Sequence, residues 1–428
     1  MTSFARRDGV LHCEGVPLPL LAREVGTPLF VYSSAAMRGQ ARRFQSALAA
    51  LGDPLIAFAV KANPNAAVLA TLAAEGLGAD VVSGGEYARA RSAGVPPEKI
   101  VFSGVGKTAA EMRQALEGGL KQFNLESAEE AEMLSQVASA MGRVAPVAIR
   151  VNPDVEAGSH AKISTGAAHN KFGVPIRDAA AVAARVRDLP ALDLVGVAVH
   201  IGSQLTGLAP LERAFVKLGA LITEMRAAGH DIRTADLGGG LGIRYDPAAP
   251  EPPSPEDYGA MVGRVTSGWN VDLAFEPGRL IVGDAGVLLT EVIRVKEGTA
   301  NPFVVLDAAM NDLMRPTLYD AWHKIEAVTP GGQQMIADVV GPICETGDTF
   351  ATARVIDRVA GGDLVVIRTA GAYGATMAST YNSRPLVAEV LVNGTEWAVV
   401  RERRDTEAFL RDEHVPAWVG RELIGQGG

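Results

Sequence analysis

The chain is poor in several features that would each mark a function class. It has two cysteines, Cys13 and Cys344, far apart in sequence. They make no disulfide framework, and such sparing use fits a reducing cytoplasm. Runs of Lys and Arg are short: Ala41-Arg42-Arg43 and Arg401-Glu402-Arg403-Arg404 read as solvated faces. With a net charge of −9, they argue against nucleic acid. No stretch approaches the roughly 20 apolar residues of a membrane span. The segment after Arg6 and Arg7 is broken by Pro17 and Pro19 and makes a poor signal peptide, so a soluble, intracellular protein is expected. There is no H-E-x-x-H and no clustered His/Cys spacing, so no metal is expected. Internal repeats and low-complexity tracts are also lacking.

What is present is ordinary globular material, 428 residues long with 48% hydrophobic and 21% charged, enough for two or more domains. Eight short apolar or β-branched runs lie between residues 55 and 276: Leu55 to Lys61, Ala79 to Ser83, Lys99 to Ser103, Lys121 to Leu125, Pro146 to Val151, Leu194 to His200, Thr234 to Leu237 and Val271 to Glu276. Most are followed by stretches with helical spacing. Eight right-handed βα units are the number that closes a TIM-like (βα)8 barrel, with a doubly wound open sheet as the rival. The barrel is favoured because Lys61, Ser83, Ser103, Asn152, His200, the glycines from Gly238 and Glu276 all fall at strand ends, where barrel enzymes build their sites.

After Gly278 the pattern changes to strands: Ile281 to Val295, Phe303 to Ala308, Thr349 to Val355, Leu364 to Arg368, Pro385 to Val392 and Glu396 to Arg401. Asn393-Gly394 turns the last pair into a hairpin. The expected division is a barrel over 31–275 and a mainly antiparallel β-sandwich or β-barrel domain over 1–30 and 276–428. Pro247 to Pro255 reads as a surface loop on the barrel rim.

Lys61 ends the apolar run Leu55-Ile56-Ala57-Phe58-Ala59-Val60, and Asn63-Pro64-Asn65 stops the strand at once. A strand-end lysine snorkelling to solvent is the bland reading. The functional one is an amine whose pKa burial lowers, leaving it neutral and suited to Schiff-base chemistry. Three glycines in Asp236-Leu237-Gly238-Gly239-Gly240-Leu241-Gly242 let backbone N–H groups converge on an anion; the spacing does not match a dinucleotide fingerprint. Glu276-Pro277-Gly278-Arg279 adds a carboxylate and a guanidinium at the eighth strand end, where barrels recurrently bind phosphate, although a surface Glu–Arg pair is the alternative. His200, flanked by small residues in His200-Ile201-Gly202-Ser203-Gln204, is either a satisfied core histidine or a flat ring on which something planar stacks. Cys344, beside Glu345 in a glycine-flanked loop, is either a small buried apolar residue or a proton donor. An amine, two anion grips, a stacking ring and a carboxylate match the needs of pyridoxal phosphate.

Six motifs in order, Phe58 to Asn63, His200 to Gln204, the Gly238 cluster, Glu276 to Arg279, Cys344-Glu345 and Gly371-Ala372-Tyr373, resemble the diaminopimelate decarboxylase family. That family belongs to the alanine-racemase-like, fold type III class of pyridoxal phosphate enzymes. The resemblance implies a Schiff base on Lys61, His200 stacked on the ring and Glu276 on the pyridine nitrogen. It implies that Ser203, Gly238, Gly239, Gly240, Pro277, Gly278, Arg279 and Tyr373 surround the cofactor phosphate, with Asp80 and Arg150 nearby. Substrate contacts would come from Arg279, Arg315, Tyr319, Glu345 and Tyr373. Arg315 would read a distal carboxylate, and Glu345 a distal amine. Related ornithine decarboxylases carry Cys-Asp where this chain has Cys344-Glu345. Cys344 would be the proton donor, reaching the site from a second copy, so a homodimer is implied. His160 to Gly166 and Asn170 to Gly173 would form an active-site loop. The implied reaction is decarboxylation of meso-diaminopimelate to L-lysine. The alternatives are a relative acting on D-ornithine, D-lysine or carrier-bound glutamate, and a catalytically dead regulator that keeps the fold.

Overall fold

The computed structural model describes residues 3–156, 165–166 and 170–419. Of the expected loop, His160 to Ser164 therefore lies outside the described residues, while Asn170 to Gly173 is described. Thr165 is described: its Oγ1 donates to the His200 carbonyl (2.8 Å).

The eight expected runs form eight parallel strands, Leu55–Ala59, Gly78–Val81, Ile100–Phe102, Gln122–Leu125, Ala145–Asn152, Leu192–Val199, Thr234–Asp236 and Asp272–Phe275. Each pairs with the next, and the last pairs with the first (Ala274 with Leu55), so the sheet closes into a barrel. An open sheet is excluded. A two-residue strand, Val174–Pro175, adds to the outside of the fifth.

Helices begin almost at once after several strands because the rim supplies N-caps. Asn65, Ser83, Thr108 and Ser127 each accept a backbone N–H of the first helical turn. Each such cap contributes about 1 kcal/mol, and together they fix where each strand ends. Lys61 consequently sits not on the strand but on a single 3₁₀ turn, Val60–Ala62, between Ala59 and the cap Asn65. Under the rim, Phe44, Phe215, Tyr258 and Phe275 pack as one aromatic cluster, with Phe44 edge-on to Phe275 at 6.1 Å. Truncating a buried ring such as Phe275 costs about 3–5 kcal/mol.

The second sheet has nine strands and is mainly antiparallel. Its spine is Gly286–Lys296, which pairs with Leu29–Ser33 and Leu364–Ile367 along its first half and with Phe303–Leu306 beyond an irregularity at Val292/Arg294. The stretch from Ile281 was expected to be strand throughout. Instead Arg279–Val282 is a helical turn, and the strand starts at Gly286. Strands Ile325–Ala327 and Gln334–Val340 were not anticipated. Residue 31 falls inside Leu29–Ser33, a strand wholly of the second sheet, so the barrel side begins with helix Ser34–Leu48. Phe4–Arg7, Val10–Cys13 and Val16–Pro17 form a separate three-stranded sheet over the second sheet's apolar face. Among the described residues no helix is long and apolar enough to cross a membrane.

Candidate active site

A cavity of about 180 Å³ opens at the C-terminal mouth of the barrel. Lys61, Thr165, His200, Ser203, Gly238 to Gly240, Pro277 to Arg279, Tyr319 and Tyr373 line it. Residues from four strand ends, the loop residue Thr165 and two β-domain segments thus meet in one hollow.

Its floor is acidic. Lys61 Nζ donates to Asp80 Oδ2 at 2.6 Å, and Asp80 is fully buried. Burial pushes the Lys61 amine down, but Asp80 first, then Glu276 and Tyr373, hold it up more strongly, and the net shift is upward. The free amine is therefore an ammonium, contrary to the neutral amine expected from burial alone. Ser103 Oγ donates to Glu276 Oε1 (3.1 Å), and Asn124 Nδ2 donates to Asp236 Oδ2 (3.0 Å) and Glu276 Oε1 (3.5 Å). Burial, then the charges of Asp236 and Asp80, raises the Glu276 carboxyl well above its ordinary range. Burial raises Asp236 as well. Two buried carboxyls joined through one amide do not both ionise, so the pair holds a proton beside the lysine.

Asp236 also ties the floor to the glycine loop, because Gly238 N–H donates to its Oδ1 (2.9 Å). Gly239 N–H donates to His200 Nδ1 (3.2 Å), which puts the His200 proton on Nε2. Burial, then Arg150 and Lys61, keeps that ring neutral. Two of the three amides expected to converge on an anion are thus engaged within the protein. At Gly239 the glycine serves close approach instead, since a Cβ there would run into the Glu276 carbonyl oxygen. Arg150 donates to Glu126 Oε1 (2.7 Å) and lies over the Phe172 ring at 5.0 Å. Glu126 Oε2 also accepts from Gly173 N–H (2.6 Å), anchoring one end of the expected loop.

The opposite wall is basic. Arg279 donates to Tyr245 Oη (2.6 Å) and Ser203 Oγ (3.1 Å), and stands over the Tyr373 ring at 4.7 Å. Arg315 stands over the Tyr245 ring at 4.2 Å and donates to His323 Nε2 (2.7 Å). Both guanidiniums are buried, each has an unpartnered Nε, and among the described residues neither forms an ion pair. Helix Arg315–Tyr319 brings Arg315 and, one turn on, Tyr319 to the same side.

Cys344 and Glu345 stand apart. Both are exposed on the loop from Gly341 to Asp348 and do not line this cavity. The loop is tied back by Asp348, which accepts from Ile343 and Met310 N–H, and by Thr317 Oγ1, which donates to the Gly347 carbonyl. The sequence placed Ser103 at the strand-end rim without a role, and it did not point to Asn124, Asp236, Glu126, Tyr245 and His323 as site-building residues. Of these only Asp236 carried a signal, as a strand-end polar residue beside the glycines.

A reactive amine and an anion grip at the mouth of a (βα)8 barrel, closed by a β domain, define the class: barrel enzymes built around a pyridoxal-type site. The residues fit pyridoxal phosphate, with Lys61 and Arg279 both lining the cavity, an unpartnered Nε on Arg279 and a proton-holding carboxyl pair near Lys61. The family model for the pyridoxal-dependent decarboxylase, pyridoxal binding domain, matches residues 36–283. A diaminopimelate decarboxylase of Zymomonas mobilis is 56% identical over 98% of this chain and 100% of its own, and one of Pseudomonas aeruginosa is 48% identical over 96% and 99%. The crystal structure of diaminopimelate decarboxylase from M. jannaschii in co-complex with L-lysine superposes with a TM-score of 0.93 at 34% identity, covering 97% of this chain and 99% of that one. The chain belongs to the diaminopimelate decarboxylase family.

Proposed function

We propose that this chain decarboxylates meso-diaminopimelate at its D-centre, giving L-lysine and carbon dioxide, with pyridoxal phosphate held covalently on Lys61. When bound, the cofactor supplies the electron sink for the carbon that loses its carboxylate. The chain's own residues do the rest. Lys61 binds through its amine, oriented by Asp80. His200 would offer a flat neutral ring as support, and the Asp236–Glu276 pair, which holds a proton, would face the pyridine nitrogen. Ser203, Arg279 and Tyr373 would grip the phosphate, with the glycine loop beside them leaving room for it. Arg315 and Tyr319 take the distal carboxylate. Cys344 returns a proton to the product carbon and Glu345 takes the distal amine, both reaching in from a second copy of the chain, which makes the working unit a homodimer. The two free cysteines suit the cytoplasm.

The observation that carries this reading is the buried Arg315 guanidinium, which among the described residues forms no ion pair. A desolvated cation that meets an imidazole and an aromatic face rather than a carboxylate is costly until an anion reaches it. A plain diamine precursor supplies none, and a diaminopimelate does. The test is carbon dioxide release by reconstituted enzyme from meso-, LL- and DD-diaminopimelate, lysine and ornithine. Turnover confined to meso-diaminopimelate is expected. Brisk turnover of lysine or ornithine with none of diaminopimelate overturns the proposal.

A further inference from the structure

His323 has no part in the scheme above, yet it is 1% exposed and lies against the basic wall. Its two ring nitrogens face opposite demands. Nδ1 lies 2.8 Å from the Arg368 carbonyl, which can only accept, so Nδ1 carries the proton. Nε2 lies 2.7 Å from Arg315 Nη1, which can only donate, so Nε2 carries none. The partners therefore fix an uncharged ring of one tautomer. Its edge packs against Tyr245 at 5.2 Å, and Tyr245 in turn lies under Arg315 and accepts from Arg279. A carboxylate at this position would orient Arg315 equally well, but it would satisfy the charge. An apolar residue would leave the charge but not its direction.

The structure assigns to His323 the role of a specificity-determining positioning residue: an imidazole acceptor that aims Arg315 while leaving its positive charge for the distal carboxylate of the ligand. This deepens the proposed function and rests on Arg315 reading that carboxylate. The chemistry it selects is an amino acid whose far end bears a carboxylate, over a diamine of the same length.

L-lysine keeps the distal carboxylate of the substrate and cadaverine lacks it, so the pair isolates the effect. Both are titrated calorimetrically into holoenzyme of the unaltered chain and of His323→Ala, His323→Gln and Arg315→Met, with melting temperature measured for each. His323→Ala should weaken L-lysine by at least about tenfold and leave cadaverine within about twofold. His323→Gln keeps an acceptor at the same depth and should recover most of the loss. KM for meso-diaminopimelate should rise in His323→Ala with kcat nearly unchanged. Equal weakening of both ligands, or no weakening of L-lysine, in folded His323→Ala overturns the role. If Ala does not fold, Gln decides alone: an L-lysine-specific loss above about tenfold in folded protein rejects the acceptor role, and near-native binding upholds it. If Arg315→Met leaves L-lysine unaffected, the reading of the distal carboxylate itself fails. If Arg315→Met weakens L-lysine and folded His323→Ala does not, only the role of His323 fails.

Discussion

The two ends of the cavity solve opposite electrostatic problems. The floor crowds three buried acids, Asp80, Asp236 and Glu276, around one amine. Its excess negative charge holds Lys61 protonated and forces the carboxyl pair to keep a proton. The wall buries two guanidiniums, Arg279 and Arg315, and gives them hydroxyls, aromatic faces and an imidazole rather than acids. One end is internally compensated, and the other leaves its charge open. An uncompensated buried charge is expensive, so the wall marks where an anionic ligand belongs, while the floor marks where protons are held and moved.

The sharpest way to break this comparison is Lys61→Ala. It removes the ammonium that contacts Asp80 and the proposed covalent anchor together. Turnover should fall by at least about a thousandfold, and the absorbance of bound cofactor should vanish. A colourless variant with substantial activity would show that the floor does not act through its amine. Glu276→Gln should cost less, about a hundredfold in turnover, because the amide keeps the shape but cannot hold the transferable proton. Asp236→Asn removes the like charge that, after burial, raises Glu276, so the Glu276 carboxyl should ionise at lower pH, readable as its downfield carboxyl carbon signal appearing earlier in an NMR titration. An unchanged Glu276 titration would show that the two carboxyls are not coupled.

The two ends also differ in how far the sequence disclosed them. The floor was largely legible, because Lys61, His200, the glycine loop and Glu276 sit at strand ends, and period-two runs locate strand ends well. What local pattern missed there was cross-barrel: Asn124 meets Asp236 and Glu276 only once the barrel closes, a pairing that spans more than a hundred positions. It also gave the wrong sign for Lys61, since burial is visible in an apolar run and the neighbouring acid Asp80 is not. Of the wall, Arg279 was legible at the eighth strand end, and Arg315 only through resemblance. Arg315, Tyr245 and His323 come from a rim loop and a non-strand stretch of the β domain, with no periodicity to flag them. His323, in particular, looks like any isolated histidine until its two neighbours fix its tautomer.

The smallest effect falls on stability and separates the ends by pH. Burial first, then Arg315, pushes His323 down to about 3, against about 6.5 in an unfolded chain. Its folded pKa is depressed, so below pH 6.5 the unfolded chain binds a proton that the folded one refuses. The associated stability is fully present above pH 6.5 and is lost as pH falls toward about 3. At pH 5 the loss from this group alone is about 2 kcal/mol. His323→Gln cannot titrate, so the difference in urea stability between it and the unaltered chain should shrink or reverse between pH 7.5 and pH 5. His200 is buried and neutral in both proteins and cancels from the difference. Parallel stability curves across that range would mean that His323 accepts a proton in the folded state, and that the wall carries a third charge instead of two.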